Sequence, residues 1–198
     1  MFRLVYATAA VLACFVGGQV PALGEEAHIV EVKRYIALHV VPWLRDHVVV
    51  DAVQAQNFAH AELTDTDVER LDQQWRRELD SPSKPLIDSV LNNPLSLFLK
   101  EKQAASDGYI GRLVVMDEKG MNVGQSGLTD DYWQGDEVKW QKSFKKRTEP
   151  VFVDNVEKDA TGQRLQIPVS LPVVDPESGL PIGAITVNIN VERLPTTF

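Results

Sequence analysis

The residues whose types and spacing could do chemistry gather in the second half of the chain, around Asp131-Tyr132-Trp133-Gln134-Gly135-Asp136-Glu137, Trp140 and Asp154. Tyr132, Trp133 and Trp140 are rigid amphipathic side chains, suited to bury an apolar ligand body while their polar atoms orient it. Their competing role is to cap a core beneath a loop. Trp133 and Trp140 stand seven apart, one stripe of a helix, so packing alone explains at least one of them. Lys139 beside Trp140 offers a positive charge on a flexible stem. Asp154 follows Val151-Phe152-Val153, and an acid beside an apolar strand needs a partner, either a ligand cation or the turn at Asn155. Gln166, Thr186, Asn188 and Asn190 occupy the polar faces of two alternating stretches and either enter a pocket or meet water.

The acids Asp130, Asp131, Asp136 and Glu137 are oxygen donors of the kind that hold calcium or magnesium, but they lack the regular spacing of a calcium loop. Carboxylates at the positive end of a helix explain them better, and no metal is expected. Catalytic inventories fail too. His28, His39, His47 and His60 all fall in the first helical stretches, with no HExxH pair. Gly124-Gln125-Ser126-Gly127 resembles a nucleophile elbow whose second glycine comes one position early. With no phosphate-binding glycine loop and no haem-attachment motif, the chain reads as a non-enzyme without a cofactor and without catalytic residues.

The first 24 residues read as an export signal: Arg3 gives a charged start, 4–16 is almost wholly apolar, and Ala22-Leu23-Gly24 offers a small-residue cleavage site. The apolar run is about half the roughly 20 residues of a spanning helix. Cleavage after Gly24 removes Cys14, the single cysteine of the 198-residue chain, and leaves no disulfide or thiolate site. The alternative is a lipoprotein anchored at Cys14 after Leu12-Ala13. Loss of Arg3 takes the formal charge from −8 to −9, which opposes nucleic acid and anionic membranes as partners. The expected location is the periplasm or the outside of the cell.

The elements that must position the chemistry follow from periodicity. Val32, Ile36, Val40, Trp43 and Leu44 form a helical stripe, with a kink expected at Pro42. Further helices are expected over 48–61, from an N-cap among Thr64-Asp65-Thr66-Asp67 to Leu79, and over 86–102. The residues 109–116 and 121–123, joined by Asp117-Glu118-Lys119-Gly120, read as a hairpin, followed by a helical stretch over 130–146 and a short strand over 150–154. Leu165, Ile167, Val169 and Leu171 alternate with polar residues and prolines, and Ile185, Val187, Ile189 and Val191 share one face of the last strand. Pro168 and Pro172 lack donors on the same side, which predicts an edge or a short ladder there. The expectation is an α+β fold: a five-stranded antiparallel sheet with a long N-terminal helix and further helices packed on it.

Three stretches together resemble the Cache or PDC sensor domains, the extracytoplasmic PAS-like domains of bacterial chemoreceptors and histidine kinases. They are Val48-Val49-Val50-Asp51-Ala52-Val53-Gln54-Ala55-Gln56-Asn57, the tryptophan segment above, and Gly183-Ala184-Ile185-Thr186-Val187-Asn188-Ile189-Asn190. The resemblance implies a small-molecule pocket between the sheet and the segment joining strands two and three. In amino-acid-binding members an Arg and a Trp hold the ligand carboxylate and an Asp on the following strand holds its ammonium. Trp140 matches the Trp and Asp154 the Asp, Lys139 stands where Arg is usual, and Gln141 where an aromatic residue is. The expected organisation is a signal peptide over 1–24, a helical region of the Cache domain over 25–107 and the PAS-like sheet with its ligand segment over 108–198. The expected function is a stand-alone secreted or periplasmic sensor of a small polar metabolite, an amino acid or carboxylate. Because the sheet ends close to Phe198, its signal is expected to pass through a membrane receptor or kinase. The alternative is a ligand-free interaction module that dimerises through the N-terminal helix. Ligand contacts are expected from Tyr132, Trp133, Lys139, Trp140, Asp154, Gln166 and Asn188.

Overall fold

A computed structural model describes residues 22–145, 150–159 and 161–194. Most of the expected export segment, with Cys14, and the last residue of the 130–146 stretch lie outside the described residues. The fold is α+β. Helix α1, Ala22–Tyr35, passes through a π turn, Ile36–Val40, and a 3-10 turn, Val41–Arg45, before α2, His47–His60. Pro42, at the start of the 3-10 turn, has no donor to continue an α-helix, which accounts for the change of pitch. Asp46 adopts an extended backbone and caps α2 by accepting the Val48 N–H at 3.1 Å.

Helix α3, Asp65–Leu79, begins with a reciprocal capping box between Thr64 and Asp67. Helices α4, Pro85–Leu91, and α5, Pro94–Ala104, each open on a proline, where the missing donor has no intrahelical partner to lose. The helix expected over 86–102 is broken between them by Asn92-Asn93, and Asn93 caps the second by accepting Ser96 N–H at 2.8 Å.

The strands are β1 (Ile110–Met116), β2 (Asn122–Gln125), β3 (Phe152–Val153), β4 (Glu157–Lys158), β5 (Leu165–Val174) and β6 (Pro181–Asn190), antiparallel in the order β2-β1-β6-β5-β3. The two-residue β4 also pairs with β5, so the five expected strands gain a sixth short one. Pro168 accepts the Asp154 N–H through its carbonyl at 2.9 Å, which puts its missing donor on the β3 side. Among the described residues a two-residue ladder forms there, in keeping with the paired prolines.

Register decides what each face of the sheet carries. Leu113, Val115, Ile167, Val169, Leu171, Val173, Ile185, Val187 and Ile189 form the main core with Val32, Ile36, Val40, Leu44, Val49 and Val53 of the N-terminal helices. Pairing Arg112 with Asn188, Val114 with Thr186 and Met116 with Ala184 places these on the opposite face, with Pro168, Ser170 and Pro172 of β5 beside them. A second cluster, Val68, Trp75, Ile87, Val90, Met121 and Tyr132, packs α3 and α4 at the β2 edge. No described helix is long and apolar enough to cross a membrane.

Candidate ligand-binding site

The chain between β2 and β3 is built onto α3 and onto the polar face of the sheet. Asp72 of α3 accepts the backbone N–H groups of Tyr132 and Trp133 through Oδ1, at 2.9 and 3.0 Å. Its Oδ2 accepts from Arg76 Nε at 2.8 Å, and Arg76 also approaches Asp131 at 3.5 Å. Asn122 N–H donates to the Tyr132 carbonyl and Gln134 N–H to the Gly120 carbonyl, so 132–134 runs beside the start of β2. Burial raises the Asp131 carboxyl above the usual range, against the pull of Arg76.

Trp133 donates its indole N–H to the Lys119 carbonyl at 2.8 Å. That contact depends on two glycines. A Cβ on Gly135 would fall 2.7 Å from Trp133 Cε2, and one on Gly120, whose φ is +84°, would fall 2.6 Å from the Gly135 Cα. The helical turn expected over 130–146 begins only at Val138, with α6 (Val138–Trp140) continuing as a π turn, Gln141–Lys145. It carries Trp140 onto Val114, Met116 and Ala184 of the sheet, with Phe144 packed against it at 5.5 Å between ring centroids. The Trp140 indole N–H is buried and has no acceptor among the described residues.

Between α3 and this segment lies a groove of about 860 Å³. Trp133, Trp140 and Phe144 form its aromatic lining, with the acids Asp65, Glu69, Asp72, Glu118 and Asp136 and the bases Arg76, Lys119 and Lys145 supplying charge of both signs. Such a cavity holds a small molecule by flat apolar contact and orients it by its rim. Of the seven residues read from the sequence as ligand contacts, Trp133 and Trp140 meet here.

The others are distributed elsewhere. Tyr132 points away from the groove into the α3–α4 cluster, its ring stacked on Trp75 at 5.4 Å and its phenol pushed well above the ordinary value by burial. Asp154 lines a separate recess of about 520 Å³ with Val138, Lys142 and Phe152, and its Oδ1 accepts the N–H of Asn155 at 2.8 Å. Gln166 lines a third recess, of about 540 Å³, and donates to Glu157 at 2.9 Å. Lys139 is half-buried and lines none of these three cavities. Asn188 is buried on the polar face of β6 between Arg112 and Pro168. Gln166, Thr186, Asn188 and Asn190 are all buried, and of these Gln166 and Asn190 line a cavity. Thr186 is bonded to Ser170 at 2.7 Å.

Three groups of consequence carried no sequence signal strong enough to single them out. Asp72 and Arg76 read as ordinary charges of a helix face, and their partners lie about 60 residues away. Arg112 sits within a run of β-formers, where alternation alone would have assigned it to the polar face.

No family model and no curated protein matches the chain. Solved structures similar to it include the ligand-binding domain of the Campylobacter jejuni chemoreceptor Tlp3 in complex with 4-methylisoleucine, at 14% identity and a TM-score of 0.40, covering 85% of this chain and 64% of that one. The ligand-binding domain of the Pseudomonas aeruginosa PAO1 amino acid chemoreceptor PctC in complex with GABA is 16% identical with a TM-score of 0.37, covering 76% and 61%. The sensor domain of the Vibrio cholerae histidine kinase DctB is 12% identical with a TM-score of 0.37, covering 84% and 55%. The chain spans between 55% and 64% of the length of these three structures.

Proposed function

We propose that this chain is an extracytoplasmic sensor domain that binds a small polar metabolite in the groove between α3 and the Trp133 to Trp140 segment. The observation that carries the reading is Trp140: a large aromatic wall of a roomy cavity whose buried N–H lacks an acceptor. An unmet buried donor costs about 1–3 kcal/mol, which a ligand acceptor reached by a small shift of the ring would recover. Trp133 and Phe144 add aromatic surface to the same cavity, and its three bases, Arg76, Lys119 and Lys145, stand among five acids, charges of both signs that would select a polar or zwitterionic molecule. An amino acid or a small carboxylate has the right size and polarity.

Export through the apolar segment over 4–16 would place the domain in the periplasm or outside the cell, and its occupancy would pass to a separate membrane receptor or kinase. Mass spectrometry of small molecules released from the purified protein names the ligand. Calorimetric titration of that ligand into wild type and Trp140→Phe then tests the site: retained affinity in the variant, or a protein that carries and binds nothing from a metabolite panel, would overturn the reading.

A further inference from the structure

The recess that holds Gln166 has a character of its own. It opens at the end of the sheet where β1, β5 and β6 meet the C-terminal part of α5, and Lys100, Arg112 and Arg164 line it against a single acid, Asp159. In a chain of net charge −8 this is a local excess of positive charge. Most of its polar groups are already engaged. Lys100 Nζ donates to the Leu91 carbonyl at 2.7 Å, and the Asp159 carboxylate accepts the Thr161 hydroxyl at 2.8 Å and the Gln163 N–H at 3.1 Å. Asn190 donates to the Gly108 carbonyl at 3.3 Å and Gln166 to Glu157.

Arg112 keeps a buried donor unmet. Its Nη1 donates to the Leu128 carbonyl at 2.9 Å, which fixes the plane of the guanidinium, while its Nε–H is buried with no acceptor among the described residues. The edge of a guanidinium that carries Nε is one of those that bind a carboxylate through two parallel hydrogen bonds. Ile110, Leu128, Leu165 and Ala104 add apolar surface to the same recess, whose 540 Å³ exceeds what an inorganic anion fills. We infer that this recess is a second binding site, distinct from the tryptophan groove, that takes a small organic acid with its carboxylate on Arg112 and its carbon skeleton on the apolar wall.

Calorimetric titration of the full chain with succinate, citrate and inorganic phosphate tests it. The expected result is binding of at least one of the two acids in preference to phosphate, weakened about tenfold or more in Arg112→Gln, the loss of one charge-assisted pair. No heat from either acid up to about 10 mM, phosphate binding more tightly than both, or an Arg112→Gln protein with unchanged affinity would each overturn the inference. Acid binding lost in Trp140→Phe but kept in Arg112→Gln would do the same, by assigning the acid to the groove. If Arg112→Gln does not fold, Arg164→Gln at the exposed rim decides: weaker acid binding supports the site, and equal affinity sinks it.

Discussion

Asp72 and Trp133, 61 residues apart, are joined by a hydrogen bond of 3.0 Å from the Trp133 backbone N–H to the Asp72 carboxylate, whose same oxygen also accepts the Tyr132 N–H. One carboxylate of α3 thus fixes the strip of chain that presents the groove's tryptophans. Asp72→Ala leaves two backbone donors unmet, and urea denaturation is expected to show a loss of about 1.5–3 kcal/mol, the range for a bond to a charged group. Asp72→Asn keeps a neutral acceptor for the two backbone donors while giving up the charge on it and the pairing with Arg76, so its loss is expected to be smaller than that of Asp72→Ala. Equal losses in the two variants would mean that the ion pair, not the backbone contact, holds the segment.

Gly135→Ala adds a methyl group where Trp133 and the Lys119 carbonyl already lie within contact distance. The Trp133 ring must move, and its bond to Lys119 with it. Overpacking of this kind costs about 1–3 kcal/mol. The expected outcome is a lower melting temperature together with altered Trp fluorescence. A variant with wild-type stability and spectrum would show that the ring is free to swing, and would remove the rigid wall from the site.

What the sequence made legible was whatever depends on short-range pattern. The alternation along β5 and β6 and an N-cap among Thr64-Asp65-Thr66-Asp67 were readable because each is decided within a few residues. The prolines at 168 and 172 even located the short β3 ladder. Three features were out of reach, each for its own reason. The helical stripe that would have linked Trp133 to Trp140 does not exist, since Gly135 lies between Trp133 and a helix that starts at Val138. Asp154 is adjacent to Trp140 in the expected motif, yet β3 is the edge strand opposite β2, while Trp140 packs on β1 and β6. Tyr132 is neighbour to Trp133 in sequence, yet its ring stacks on Trp75 inside the α3–α4 cluster while Trp133 reaches the groove.

Acid should probe the β5–β6 turn. Asp175 accepts the Ser178 hydroxyl at 2.6 Å and the Glu177 N–H at 3.0 Å, and these bonds, the hydroxyl foremost, hold its carboxyl below the usual range. A carboxyl whose folded value is depressed stabilises the fold above its unfolded pKa, about 3.9, and loses that contribution as pH falls through the folded value. Asp175→Asn is therefore expected to flatten the decline of stability below about pH 4, read from urea denaturation at a series of pH values. A decline as steep as that of wild type would place the acid sensitivity elsewhere.

The groove and the recess of Asp154 can be told apart by mutation. Trp140 wants an acceptor for a buried N–H, whereas Asp154 already accepts one from Asn155 at 2.8 Å and faces another cavity. Trp140→Phe keeps an aromatic wall and deletes the orphan donor, so relief of that donor offsets part of the lost apolar contact and stability should change by less than about 1 kcal/mol. Affinity for the ligand released from the protein should nevertheless fall about tenfold, because the ligand's acceptor loses its partner. Asp154→Asn should do the opposite: a slightly lower melting temperature from a weakened turn cap and an affinity within about twofold of wild type. Titrations of both variants, beside their melting curves, give four numbers whose pattern is diagnostic. If Asp154→Asn abolishes binding while Trp140→Phe leaves it intact, the ligand lies in the recess of Lys142 and Phe152, and the groove between α3 and the tryptophan segment is not the site.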